Sequence, residues 1–263
     1  MPEPAATSQT LDDLIDPARA RAMQAALGSR PSLSSGDALP PFFHQLYFWD
    51  PQMPEHLGRD GHPKTGGLIP DLGLPRRMWA GGELVFHGPL IAGTRAQKVT
   101  RIEGVTRKTG RSGQLAFVRL RHDIKQRHAL VLTEYQDLVY RADDAPPAEP
   151  PKAPKQPAIS HPLSFDSTAL FRYSALTFNG HRIHYDADYA REVEGYPGLV
   201  VHGPLLAQCL MLLAEMQLGA LSEFRYQAKS PLIAGEDGTA NWADGTAWVT
   251  GADGRLCMLA QAG

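Results

Sequence analysis

FNGHRIHYDADYAREVEGYPGLVVHGPLLAQCLMLLAEM, residues 178–216, is the stretch on which the fold turns. A polar, histidine-rich cluster comes first: Asn179, His181, Arg182, His184 and Asp186. The pair His202-Gly203 follows, then Pro204 at the place where a helix should begin, then apolar side chains on nearly every face through Leu218. A helix that is apolar all round is buried rather than half exposed. Among antiparallel strands, the packing solution is a sheet curled around it. Its N-terminus then lies inside the protein, where orphan N–H groups and the positive end of the dipole face whatever sits there. A glycine at that end, Gly203, lets a ligand carbonyl approach the backbone, and its N–H suits an oxygen that gains negative charge.

Outward from this stretch, strands dominate. Residues 82–91, 95–106, 114–124 and 129–140 are rich in β-branched and aromatic residues, and Gly110-Arg111-Ser112-Gly113 offers a turn, which predicts an antiparallel meander. Residues 222–231, 246–251 and 256–260 predict further strands, with turns over 235–245 and 251–254. Residues 169–177 read as a strand or extended approach, and 185–194 as a helix with Asp186 or Asp188 near its start. At the front, residues 1–10 read as disordered, and 11–27 as a helix capped by Thr10 or Asp12 and stopped by Gly28. LPPFFHQLYFW, residues 39–49, reads as a buried helix with Pro40 and Pro41 in its first turn, the alternative being an irregular aromatic plug. Residues 50–77, dense in Gly and Pro, read as a long covering loop anchored by Met53, Leu57, Leu68, Ile69, Leu72 and Leu74.

Residues 146–162 hold seven prolines and no apolar periodicity. Such a segment is an extended linker able to span on the order of 50 Å. The expected organisation is an N-terminal domain over 1–142 with its covering loop, a linker over 143–165 and a second domain over 166–263. Both halves share a grammar of an apolar helix followed by antiparallel strands, the mark of a duplicated fold. They also share an echo, VFHGPLIAG at 85–93 and VVHGPLLAQ at 200–208, accidental in register because one copy is placed on a strand and the other at a helix start.

A hydrophobic fraction of 43% with 21% charged residues is ordinary for a soluble globular protein. A net charge of −2 gives no field that favours nucleic acid or an anionic membrane. Cys209 and Cys257 alone make neither a disulfide framework nor a zinc spacing, so a reducing, cytoplasmic compartment is expected. The acidic N-terminus lacks the apolar core of a signal peptide, and the run 205–214 is too short to span a bilayer.

FNGHRIHYDADYA followed by GYPGLVVHGPLLA resembles the hot-dog-fold hydratases and dehydratases of the MaoC type. The nearest branch has two domains and includes 3-methylfumaryl-CoA (mesaconyl-C4-CoA) hydratases and mitochondrial hydroxyacyl-thioester dehydratases. PRRMWAGGELVFHGPL and TRKTGRSGQLAFVRLRH resemble that branch's degenerate N-terminal hot-dog. The resemblance implies an α+β double hot-dog, two antiparallel sheets each wrapped around an apolar helix. It also implies a hydro-lyase acting on an enoyl thioester, most directly mesaconyl-C4-CoA to citramalyl-CoA, the alternative being a 3-hydroxyacyl-thioester dehydratase of fatty acid synthesis. No metal or redox cofactor is expected. The partner is an acyl-CoA or acyl-carrier-protein thioester, and a homodimer of double hot-dogs stays open.

The family motif D-x-N-P-x-H falls on Asn179–His184 with its histidine kept at His184. Its aspartate position is Asn179, its asparagine position His181 and its proline position Arg182. An amide has no useful basicity, so the family's carboxylate does not carry over. Proton transfer then falls to His184, with Asn179 orienting the water or the histidine and Gly203 holding the thioester oxygen. His181, Arg182, His202 and Arg172 are expected to line the substrate. A guanidinium suits bidentate grip of a carboxylate, so Arg182, or Arg172, is expected to select a dicarboxylic acyl group; the competing reading of Arg182 is a phosphate or backbone contact. Glu194 and Glu215 read as helix-surface or cap residues rather than second carboxylates, and Arg76, Arg77 and Lys229 as solvated charge rather than phosphate contacts. Two other functions compete. His184, Asp186 and His202 could form a 2-His-1-carboxylate iron site of an oxygenase. The lost aspartate alternatively suits a non-catalytic acyl-CoA binder.

Overall fold

The computed structural model describes residues 8–110, 113–142 and 149–263. Its strands are β1 (Ser8–Leu14), β2 (Arg76–Phe86), β3 (Arg95–Gly110), β4 (Gly113–Gln126), β5 (Ala129–Arg141), β6 (Ile159–Leu163), β7 (Glu223–Ala228), β8 (Gly238–Ala243), β9 (Thr246–Thr250) and β10 (Leu256–Ala262). Its helices are α1 (Pro17–Ala26), α2 (Ser167–Thr177) and α3 (Gly203–Leu218). All strands join one ten-stranded sheet in the order β1-β3-β4-β5-β2-β7-β10-β9-β8-β6. Counted inward from either edge, the order is the same: first strand of the half, then third, fourth, fifth and second. The two halves meet where the equivalent strands β2 and β7 pair antiparallel, from Gly81 opposite Gln227 to Val85 opposite Glu223. The fold is therefore a double hot-dog, its two sheets fused edge to edge around a local two-fold, as in an isologous dimer interface.

In the second half α3 fills the sheet. Leu205, Leu206, Leu210, Met211 and Leu213 are all at most 3% exposed. Each contributes about 2 kcal/mol by burial, which pins the helix and with it the position of Gly203. Its one buried polar side chain, Gln208, is satisfied by donating to Pro41 O at 2.8 Å.

In the first half the expected helix over 39–49 is not formed; the aromatic plug is found instead. Only Phe43–Leu46 makes a 3-10 turn, between Phe42 at φ 69° and Phe48 at φ 62°. Left-handed backbone at a bulky residue costs on the order of 1–2 kcal/mol. Here it lets Phe42, Phe43, Leu46, Tyr47 and Phe48 all reach the core, each at most 4% exposed.

Several local expectations give way for identifiable reasons. The helix expected over 11–27 starts only at Pro17, with Asp16 as its cap (Asp16 Oδ1 accepts from Ala18 N, 2.8 Å), and residues 8–14 are a strand. Proline disfavours helical backbone in the residue before it, so no helix could run through Asp16. The strand expected over 169–177 is α2, capped by Asp166, with Leu170, Tyr173 and Ser174 buried on one helical face. The turn expected over 235–245 contains β8, with Gly235 (φ 81°) turning the chain before it and Asp244 and Gly245 (φ 44° and 77°) after it. An Asp-Gly pair is the hairpin signal for that geometry. β2 starts at Arg76 and stops at Phe86, not at 82 and 91. Within 185–194 the helical piece is a short π-helix, Tyr189–Val193. The proline-rich stretch ends in β6, an edge strand that tolerates Pro162. Residues 1–7, Arg111 and Ser112 of the expected turn, and residues 143–148 of the expected linker lie outside the described residues.

The covering loop is ordered. Leu72 is buried, and Ile69 and Leu74 pack with it against Ala116, Val118, Leu120, Leu138 and Tyr140; Met53, 60% exposed, anchors nothing. No helix among the described residues is long and apolar enough to cross a membrane.

Candidate active site

The connection from α2 to α3 carries a row of imidazoles. His184, on the 3-10 turn Arg182–His184, stacks on His202 with ring centroids 3.6 Å apart and 22° between planes. His202 is the residue that precedes the first turn of α3, so His184 lies at the helix mouth beside Gly203. His181 meets His184 edge-on at 5.3 Å, and Tyr173 of α2 lies 4.9 Å from His202 on the far side.

Hydrogen bonds fix the chemistry of this row. His184 Nδ1 is 2.7 Å from Val200 O, a partner that only accepts, so Nδ1 carries the proton and Nε2 the lone pair. Burial, only partly opposed by that bond, pushes the His184 pKa down to about 3. Burial and the charges of His62 and His184 push His181 down to about 2, and burial with His184 holds His202 well below the ordinary range. The row is therefore neutral near pH 7, the state in which an imidazole accepts a proton. His202 Nε2 pairs with Ser174 Oγ at 2.8 Å, while its buried Nδ1 has no partner among the described residues. An orphaned buried nitrogen costs about 1–3 kcal/mol, a cost characteristic of functional sites.

The covering loop of the first half closes over this row. Asp60 O accepts from Arg182 N at 2.9 Å. Arg182 Nη1 donates to Arg59 O at 3.1 Å. Gly61 lies so close to Gly180 that a Cβ on Gly61 would fall 2.0 Å from Gly180 O. The loop thereby delivers His62, whose ring centroid is 4.4 Å from that of His181. Asp60 Oδ2 is 2.9 Å from His62 Nδ1, and Asp60 Oδ1 accepts from His62 N at 3.1 Å. Burial raises the Asp60 carboxyl, but the His62 contacts outweigh it and hold the pKa at about 2. Asp60 and His62 were not singled out from the sequence. The signal available was an acid and a histidine two residues apart in a Gly-rich loop; what placed them was long-range docking.

The expected site residues fare differently. His184, His181, His202 and Gly203 come together. Asn179 Oδ1 is spent on the turn, accepting from His181 N at 3.0 Å. Arg182 is committed as well. Its Nε and Nη2 donate to Asp186 Oδ2 at 3.1 and 2.7 Å, its Nη1 reaches Arg59 O, and its guanidinium stacks on Tyr189 at 4.2 Å, so the Nε–Nη2 edge is already held by an acid of this chain. Arg172 is exposed on α2. Gly203 makes room for Trp79 of β2: a Cβ there would be 2.6 Å from the indole. Its N–H has no acceptor among the described residues. Glu194 pairs with Arg76 at 2.7 Å and with Tyr189 Oη at 3.0 Å, and Glu215 sits near the far end of α3.

Among the described residues, the donor atoms that approach one another within 4.8 Å are those of Asp60, His62 and His181, not of His184, Asp186 and His202. Asp60 and His62 are already hydrogen-bonded to each other, and Asp186 is spent on Arg182, which removes the arrangement the oxygenase reading needs. An apolar groove of about 380 Å³, lined by Phe165, Leu205, Cys209, Leu213 and Met216 among others, borders the site through Tyr173 and Leu205.

Known proteins agree with this architecture. The chain is 45% identical to the mesaconyl-C(4)-CoA hydratase of Chloroflexus aurantiacus over 234 residues, covering 86% of this chain and 82% of that one. It is 30% identical to the mitochondrial hydroxyacyl-thioester dehydratase type 2 of Schizosaccharomyces pombe over 201 residues, 66% of each chain. Among solved structures, HtdX of Mycobacterium tuberculosis superposes with a TM-score of 0.70 at 19% identity, covering 97% of this chain and 98% of that one. A second M. tuberculosis protein, described as a double hotdog fold, gives 0.61 at 14% identity over 98% and 95%. The family model for hydroxyacyl-thioester dehydratase type 2 matches residues 42–234, and the chain belongs to that family of hydro-lyases.

Proposed function

We propose that the protein hydrates an enoyl thioester, with mesaconyl-C4-CoA as substrate and citramalyl-CoA as product. The observation that carries the reading is the neutral His184, its Nε2 lone pair fixed by the Val200 carbonyl, at the mouth of α3. As the water oxygen bonds to the β-carbon, one water O–H bond breaks and its proton goes to His184 Nε2. The electron pair of the double bond moves to the thioester oxygen, which the Gly203 N–H and the dipole of α3 stabilise. Return of that pair forms the Cα–H bond with the proton from His184, so the elements of one water are added. The reverse sequence is a dehydration.

The identity to the Chloroflexus hydratase supports the acyl group. That group carries a free carboxylate and calls for an uncommitted cation. Arg77 of β2 acts on the charges of His62, His181 and Tyr140 and makes no ion pair among the described residues. It takes the role first expected of Arg182. A second reading, 3-hydroxyacyl-thioester dehydration in fatty acid synthesis, draws on the family description and the yeast relative. The free thiols of Cys209 and Cys257 fit a cytoplasmic setting. The test is the rate of enone loss with mesaconyl-C4-CoA, crotonyl-CoA and a long-chain enoyl-CoA. The mesaconyl ester is expected to react at least tenfold faster in kcat/KM. A long-chain preference refutes the substrate, and retention of full activity by His184→Gln refutes the mechanism.

A further inference from the structure

We infer that the Asp60–His62 pair of the covering loop replaces the carboxylate missing at residue 179: His62 Nε2 accepts the second hydrogen of the attacking water, and Asp60 holds His62 in the tautomer that can do so. The inference rests on the hydration reading above and deepens it. His62 is then a catalytic residue and Asp60 a positioning residue.

The geometry is that of a carboxylate dedicated to one imidazole. Both Asp60 oxygens are engaged by His62, one by its ring Nδ1–H and one by its backbone N–H. With Nδ1 protonated toward a carboxylate that stays ionised, Nε2 is left as the acceptor. The His62 side chain is 19% exposed, so the ring is at the rim of the site rather than sealed in the core. It faces His181, and it is near enough to His184 for a charge on His62 to depress His184.

The docking of the loop is built, not incidental. The Gly61–Gly180 contact admits no side chain on either residue, a Cβ on Gly180 falling 2.9 Å from Gly61 O. A backbone bond from Arg182 N to Asp60 O and a side-chain bond from Arg182 Nη1 to Arg59 O clamp the loop on the turn that carries His181 and His184. The Arg182–Asp186 pair thus serves the clamp. Alternatives are used elsewhere: Asp186 holds Arg182, Glu194 holds Arg76, and Asn179 holds the turn. No step gains or loses a proton by this assignment. His184 takes and returns the proton, and His62 fixes the direction of the water lone pair toward the β-carbon, the service a carboxylate gives at the family position.

The test compares His62→Gln, Asp60→Asn, Asp60→Asn/Asn179→Asp and His184→Gln in the full chain, with crotonyl-CoA and mesaconyl-C4-CoA as probes. His62→Gln is expected to lower kcat about 10²-fold with KM within about threefold, the scale of a lost acid–base or water-holding group. Asp60→Asn is expected to lower kcat about tenfold or more. Returning a carboxylate at residue 179 in the double variant is expected to recover at least about tenfold, which a purely structural role for Asp60 would not allow. Thermal unfolding of each variant identifies any that fail to fold, and His62→Gln, which keeps the Asp60 backbone clamp, carries the test in that event. Wild-type kcat in His62→Gln, or no recovery in the double variant, overturns the inference. If His184→Gln is inactive at the same time, the hydration reading stands without it; if His184→Gln is also fully active, that reading falls instead.

Discussion

Lowering the pH from 7.5 to 5.5 should destabilise this protein by at least about 4 kcal/mol, chiefly through three buried imidazoles. His184, His202 and His122 are 5%, 0% and 8% exposed. Burial drives His184 to about 3, His122 to about 4 and His202 well below the ordinary value of 6.5. A lowered histidine pKa means that the unfolded chain binds a proton the folded chain refuses, so stability falls as pH drops below about 6.5 and the loss levels off only near the folded pKa. At pH 5.5, one unit below the unfolded value, each group favours unfolding by about 1.4 kcal/mol. Three groups give about 4 kcal/mol, a large part of a typical stability of about 5–15 kcal/mol, and His181 and His62, both lowered first by burial, add to the loss in the same direction. Carboxyls depressed in the fold, Asp60 and Glu134 among them, withdraw their contribution only as pH falls below their ordinary values of 3.8 and 4.5, outside this window. The assay is urea unfolding followed by tryptophan fluorescence at a series of pH values. His122 lies outside the active site, hydrogen-bonded to Thr100 Oγ1 at 2.8 Å; in His122→Gln the loss across this window should shrink by about 1.4 kcal/mol whatever the baseline. A stability that changes by less than about 1 kcal/mol between pH 7.5 and 5.5 would mean that these rings are reached by solvent or already charged in the native state. The neutral His184 on which the hydration chemistry depends would go with them.

Two further perturbations read the joint between the halves and the carboxylate contact proposed for Arg77. A Cβ on Gly82 would lie 2.3 Å from Tyr135 O and 2.3 Å from Tyr226 Oη, with Tyr226 itself stacked on Trp79 at 4.7 Å, so Gly82→Ala should lower stability by about 3 kcal/mol in urea unfolding, whereas Gly104→Ala, with nothing within 4 Å, should change it by less than about 0.5 kcal/mol. Arg77→Leu should cut kcat/KM for mesaconyl-C4-CoA at least about tenfold more than for crotonyl-CoA, the worth of one charge-assisted hydrogen bond, while Arg182→Leu should reduce both equally by loosening the loop clamp; equal losses in Arg77→Leu would remove the carboxylate contact.

The second half was legible because its signals are local or periodic. The all-round apolar pattern of α3 announced a buried helix, and its position fixed where His184 and Gly203 had to meet. The misreadings share a cause. Ser8–Leu14 and Ala169–Thr177 are short amphipathic stretches whose state is decided by a proline or a capping aspartate at one end, Pro17 in one case and Asp166 in the other. The 39–49 segment has the composition of a helix, but space inside the first sheet favours aromatic side chains radiating from a kinked backbone over a regular helix. Arg182 shows the limit of reading chemistry from residue type. A guanidinium beside catalytic histidines looks like a carboxylate clamp until the acid four residues on, Asp186, is seen to occupy it.

Asp60 and His62 mark the deeper limit. The motif around residue 179 lacks a carboxylate, and the nearby Asp186 and Glu194 are held by Arg182 and Arg76. The replacement inferred above sits 119 positions earlier, counting from Asp60 to Asn179, on a loop of the other half. A bare Gly61–Gly180 contact and a backbone bond from Arg182 N to Asp60 O help to bring it across. Neither contact has a side-chain signature, since one needs the absence of a Cβ and the other uses atoms every residue has. The consequence is specific to the fused fold. On the proposed mechanism, the half that holds His184 and Gly203 is incomplete as a site without the half that supplies Asp60, His62, Trp79 and Arg77, and activity would then depend on the β2–β7 joint as much as on the histidine row.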